Sequence, residues 1–134
     1  MMIESPTISV GRSAEFLKTH LSDPANLAAL LPEEHVQEFK AEGAECQFKV
    51  TGGFSVIIKN VDESNPHRVK YVSQKGTPIR FELEVILEPQ GENHCSLLIQ
   101  CDADLNPFMK MMAEKPLQAI FSGMAAAAEA SFPA

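Results

Sequence analysis

The chain has no tryptophan and one tyrosine among its 134 residues, and aromatics make up only 7% of it. Basic residues are short as well. Eleven Lys and Arg face 18 Asp and Glu, for a net charge of −7. Phosphate backbones and anionic bilayers repel such a chain, and no nucleic-acid partner is expected. No apolar run reaches the roughly 18 residues of a membrane-spanning helix, so no integral membrane association is expected. The three cysteines, Cys46, Cys95 and Cys101, are an odd number without a CxxC spacing. Cys95 and Cys101 lie six apart in an apparent strand, roughly 20 Å and beyond disulfide reach. All three read as free, buried thiols in a reducing compartment. The N-terminus, Met1 to Pro6, lacks the basic cluster and apolar stretch of a secretory signal. A cytoplasmic protein is the expectation.

Catalytic and metal-binding patterns are equally sparse. His20, His35, His67 and His94 never stand at the i, i+4 or HxH spacing of a metal site, and neither a metal nor a cofactor is expected. Nothing matches a nucleophile with a base and an orienting group. Asp102 and Asp104 share a strand face just before Asn106. Paired carboxylates serve acid–base chemistry when their environments differ. The preferred reading is a solvated strand end whose charge favours the next helix N-terminus. No catalytic residue is assigned, and the reading leans away from an enzyme.

What is present is an ordinary globular composition, 45% hydrophobic and 22% charged. At this length a single domain over residues 1–134 with one core is expected. Residues 3–10 alternate weakly and predict a first strand. Ser13 is an N-cap for a helix carrying Phe16, Leu17 and Leu21. Asp23-Pro24 starts a second short helix with Leu27, Leu30 and Leu31, which Pro32 stops.

From His35 to Ala103 the apolar period is two. Cys46, Phe48 and Val50 alternate with polar residues, Gly52-Gly53 suits a hairpin, and Phe54, Val56 and Ile58 follow. Val69, Tyr71 and Ser73 share a face predicted to point inward. Ile79, Phe81, Leu83, Val85 and Leu87 give the cleanest alternation, and Cys95 to Ala103 the last. Short turns between successive strands predict an antiparallel meander with one buried and one wet face.

Asn106-Pro107 opens a helical segment containing Phe108, Met109, Met111 and Met112. Pro116 predicts a break, with a longer helix beginning beside it. Leu117, Ile120, Phe121, Met124 and Ala128 then form an apolar stripe aimed at the sheet. The opposite side carries Ala119, Gly123, Ala126, Ala127 and Ala130, and from Pro116 onward Glu129 is the only charged residue. A wet helix back usually carries more charge, which suggests a homodimer through this Ala-rich side; helix propensity alone is the other reading.

The fold class is thus α+β: a curved antiparallel sheet of about seven strands, two short helices after strand 1, and a long C-terminal helix on the concave face. This order of elements resembles the helix-grip fold of the START-like, or SRPBCC, superfamily. The resemblance spans about Glu4 to Phe132. It is carried best by Phe16 to Pro32, with Leu21-Ser22-Asp23-Pro24-Ala25-Asn26-Leu27. The second stretch is Asp102-Ala103-Asp104-Leu105-Asn106-Pro107, leading through Met112 to Pro116-Leu117. It is similar to small stand-alone bacterial members without an assigned activity. Thr51-Gly52-Gly53-Phe54 is too short for the Gly-rich loop of the pollen-allergen branch. The resemblance implies a hydrophobic ligand and does not imply a reaction.

Three functions are consistent with this: a binding or carrier protein for a small lipid-, polyketide- or isoprenoid-like molecule, a polyketide cyclase or dehydratase, and a protein-interaction module with a closed pocket. The first is preferred. Its expected lining is Phe54, Val56, Phe81, Leu83 and Val85 from the strands and Phe108, Met112, Phe121 and Met124 from the helix. Tyr71 and Ser73 are the expected polar anchors. Met124 and the methionines at 109–112 read either as core or as adaptable lining.

Overall fold

The computed structural model describes residues 1–51 and 53–134. Two short strands, β1 (Met2–Glu4) and β2 (Ile8–Val10), precede helix α1 (Ala14–Leu21) and a 3₁₀ turn at Pro24–Leu27. Six strands follow: β3 (Val36–Glu42), β4 (Glu45–Val50), β5 (Ser55–Val61), β6 (Arg68–Ser73), β7 (Arg80–Pro89) and β8 (Cys95–Asp104). Helix α2 (Pro107–Ser131) ends the fold. All the strands pair antiparallel in one curved sheet, ordered β1-β8-β7-β6-β5-β4-β3, with β2 also on β8.

The alternation behind the meander is what the sheet uses. Cys46, Phe48 and Val50 of β4, Val56 and Ile58 of β5, and Phe81, Leu83, Val85 and Leu87 of β7 are buried. Their neighbours Glu45, Gln47, Lys49, Arg80 and Glu82 are exposed. The Gly52 half of the expected Gly52-Gly53 hairpin lies outside the described residues. Beside it, the Gly53 N–H donates to the Val50 carbonyl at 2.9 Å.

Three expectations are corrected. The first strand is two strands, because Ser5-Pro6-Thr7 interrupts it. Proline cannot donate to a ladder. Ser5 keeps the break closed: its N–H donates to the Ile99 carbonyl at 2.8 Å, and its hydroxyl oxygen accepts from the Ile99 N–H at 2.9 Å. Among the described residues the sheet thus counts eight strands, in keeping with the expected count of about seven. The second short helix is a 3₁₀ turn, capped by Asp23, whose Oδ1 accepts from the Ala25 N–H at 3.1 Å.

The third correction concerns Pro116. No new helix starts there; α2 runs unbroken for 25 residues with Pro116 inside it. Proline removes one bond, to the carbonyl of Met112, and crowds that carbonyl. Met112 lies on the exposed side of the helix. The start of α2 is as expected. Asn106 Oδ1 accepts from the Met109 N–H at 2.8 Å, and Pro107 fills the first helical position, where a missing N–H costs nothing.

Side chains fasten the helices to the sheet. The Lys18 ammonium of α1 donates to three backbone carbonyls in and beside the β5–β6 connection: Glu63 at 2.7 Å, Asn65 at 2.6 Å and, at the start of β6, Arg68 at 2.9 Å. Its three donors are thereby used up. Elsewhere on α1, Phe132 packs edge-on to Phe16 and to His20, and Arg12 lies 4.4 Å over the Phe16 ring. The Gly11 N–H donates to the Phe132 carbonyl at 2.8 Å, and Pro133 passes so close that no Cβ would fit at Gly11. The C-terminal end of α2 is thus clasped to α1.

Candidate functional site

Between the sheet and α2 lies a gap lined only by apolar side chains. Phe48, Val56, Ile58, Phe81 and Leu83 form its sheet side, and Leu117, Ile120, Phe121 and Met124 its helix side. Leu27 and Leu31, from the 3₁₀ turn and the residues after it, close one flank. The open volume is about 10 Å³. That is the room of one water molecule, and the site offers a water no partner. The side chains meet across the gap and fill it.

Of the expected lining, the structure brings together Val56, Phe81, Leu83, Phe121 and Met124. Val85 is buried on the same face of β7 but further along it, outside the gap. Phe54 is half-buried just before β5 and borders a surface groove with Gln37, Lys49 and Thr51. Phe108 and Met112 lie away from the gap: they are 71% and 63% exposed. With α2 continuous, residues 108 and 112 fall on the side of the helix opposite 121 and 124. Met111 is exposed with them, at 84%.

The expected polar anchors are engaged elsewhere. Tyr71 is fully buried, and its hydroxyl donates to the Leu21 carbonyl at 2.6 Å. This bond ties the last turn of α1 to β6. Burial, and then neighbouring Cys46 and Asp23, raise the pKa of that hydroxyl well above its ordinary value, so it stays protonated. The Ser73 hydroxyl accepts from the Phe81 N–H at 2.9 Å, between the ends of β6 and β7. Both groups hold strands and helix in place. Neither points a free polar atom into the gap.

Titratable groups near the gap are few. Cys46, Cys95 and Cys101 are free and buried. Burial pushes the Cys46 and Cys101 thiols up to about 12 and raises Cys95 too. Thiols held neutral in this way are poor nucleophiles. Asp102 and Asp104 are exposed at the end of β8. Among the described residues no group of three His, Cys, Asp or Glu side chains is placed to hold a metal. No helix of the structure is long and apolar enough to cross a membrane.

The lining residues that sequence reasoning missed are Leu27, Leu31, Phe48, Ile58, Leu117 and Ile120. A signal was present for four of them. Phe48 and Ile58 share the inward alternation of Val56, and β4–β5 pairing sets Phe48 directly opposite Val56. Leu117 and Ile120 belong to the same helical stripe as Phe121 and Met124.

No protein-family model matches the chain, and no curated protein matches it. Solved structures do. A START superfamily protein from Mycobacterium smegmatis is 17% identical, with 97% of this chain and 98% of that one covered at a TM-score of 0.65. Norcoclaurine synthase from Thalictrum flavum, in complex with dopamine and hydroxybenzaldehyde, is 18% identical, with 94% and 84% covered and a TM-score of 0.65. A conserved protein from Geobacillus kaustophilus is 15% identical, with 98% and 94% covered and a TM-score of 0.70. At such identities the likeness is one of fold.

Proposed function

Because the chain has the START-like, helix-grip fold, we propose that it binds a small hydrophobic molecule between the sheet and α2. A lipid-, polyketide- or isoprenoid-like compound suits a lining with no polar atom in it. The observation that carries this reading is the gap itself: eleven apolar side chains from four regions of the chain converge on one space. Ligand pockets are predominantly apolar and lie where elements of a fold meet. At about 10 Å³ the space must open to admit a ligand. Met124 and Leu117 have the rotamer freedom to help make room.

The volume also supports a second reading, a protein-interaction module whose pocket stays closed. Native mass spectrometry of freshly purified protein separates the two. Ligand binding predicts a reproducible excess over the 14.7 kDa chain mass, lost on denaturation. No excess mass, together with no uptake of the neutral apolar dye Nile red, would reject ligand binding and leave the closed module.

A further inference from the structure

The outer face of α2 carries a pattern that the gap does not use. Phe108, Met112, Lys115, Ala119, Ser122, Ala126 and Glu129 follow one another at alternating steps of four and three. Residues at these steps share one face and form its seam, large and apolar at Phe108 and Met112, small at Ala119, Ser122 and Ala126, and charged at Lys115 and Glu129. It lies opposite the buried stripe of Leu117, Ile120, Phe121 and Met124, and every residue of it is exposed or half-exposed. Met111 widens its apolar end.

We propose that this face is an interface with a second copy of the chain, in which two α2 helices pair antiparallel about a two-fold axis near Ala119 and Ser122. Three features of the face fit one another only in that arrangement. The middle is small, so the two helices approach to about 8 Å, the near end of the usual range. Lys115 and Glu129 are the only charges on the face, one on each side of the middle. The antiparallel two-fold operation sets the stem of Lys115 on the partner's Ala126 and brings its ammonium within a turn of the partner's Glu129. A parallel pair would set like charge against like. The large side chains at the N-terminal end of each helix then cover the C-terminal end of the other. Isologous contacts of this kind are closed and leave no unpaired surface.

Gly123 stands outside the seam for a reason within the chain. A Cβ on it would meet Cγ of Pro32 at 3.0 Å, so its smallness serves the packing of the segment after the 3₁₀ turn. The small residues left facing outward are Ala119, Ser122, Ala126 and Ala130. With the exposed surface of Phe108, Met111 and Met112, they provide about 1,200 Å² in a pair, the lower end of specific interfaces. A dimer in exchange with monomer at micromolar concentration is the expected state.

Sedimentation velocity on the full chain tests this, from low to high micromolar concentration. The weight-average mass should rise from 14.7 kDa toward twice that value. Ala126→Arg alters an exposed position and leaves the circular dichroism unchanged; it should raise the dissociation constant at least about tenfold. Lys115→Glu alone, or Glu129→Lys alone, should weaken the dimer, and the two together should restore it. A monomer at every concentration would overturn the proposal. So would a dimer indifferent to Ala126→Arg, or a charge swap without rescue. A monomer that co-sediments with phosphatidylcholine vesicles would also overturn it, assigning the face to a lipid surface.

Discussion

Both sides of α2 carry large apolar side chains, and these have opposite fates. The inner side, with Leu117, Ile120, Phe121 and Met124, is buried to within a few per cent. The outer side presents Phe108, Met111 and Met112 to solvent with most of their surface free. Hydrophobicity does not separate these sets; phase along the helix does. A helix broken at Pro116 can reset its phase there and turn Phe108 and Met112 inward. A continuous helix cannot, because residues 108 and 121 then stand on opposite sides. The placement of two expected lining residues thus turned on whether the helix continues through Pro116.

The contrast is sharpest in stability. Phe121→Ala should cost about 3–5 kcal/mol, because it removes a buried ring and leaves a cavity in a filled gap. Phe108→Ala should stay within about 0.5 kcal/mol, measured by urea unfolding below the concentration of any self-association. Equal losses would mean that the first turns of α2 pack inward in solution.

Pro116→Ala restores the missing N–H donor to the Met112 carbonyl. It should stabilise the fold by about 1–3 kcal/mol, since proline in a helix interior costs about 3 kcal/mol relative to alanine. A loss instead would show that the helix is interrupted at residue 116 and that the two sides are less firmly phased.

Tyr71→Phe leaves the buried Leu21 carbonyl without its donor and should cost about 1–3 kcal/mol. A neutral result would free the hydroxyl for a role toward a ligand. Asn106→Ala removes the cap at the start of α2 and should cost about 1 kcal/mol.

The smallest effect is expected from the thiols near neutral pH. Cys46 and Cys101 have folded pKa values raised from 9.0 to about 12, so the unfolded chain loses its protons first. Stability should be indifferent to these groups below pH 9 and should fall between pH 9 and 12. At pH 8 a thiol reagent should label no cysteine in the native protein and three after denaturation. Rapid native labelling would show that the inner side opens readily.

Much of the fold was legible because alternation in β4 and β7 is clean and turn residues punctuate the strands. The fold class, the meander and the stripe facing the sheet needed no more than the period of the apolar residues. The first strand was harder: Ser5 looks like a loop residue, and only its backbone and side-chain bonds to Ile99 reveal that pairing continues across the break. The site was legible by halves. Val56, Phe81 and Leu83 follow from pleat direction, which is local. Leu27 and Leu31 depend on where a short 3₁₀ turn docks, which no local pattern encodes. Tyr71 and Ser73 were placed on the correct face, but their hydroxyls are taken by backbone groups at Leu21 and Phe81, and sequence gives no account of such partners.

Lys18 sets a rule for anyone who would rebuild this scaffold. The β5–β6 connection owes its course to an ammonium 45 residues earlier in the chain, so its three carbonyls must still converge after any insertion. New binding sequences grafted there would have to re-create that convergence or give up the anchor. The β7–β8 hairpin carries no such debt. Its closure is local, from the Gln90 N–H to the His94 carbonyl at 2.9 Å, and Gly91 at its tip has open space around it. That hairpin is the end of the molecule on which foreign loops can be mounted without consulting the rest of the chain.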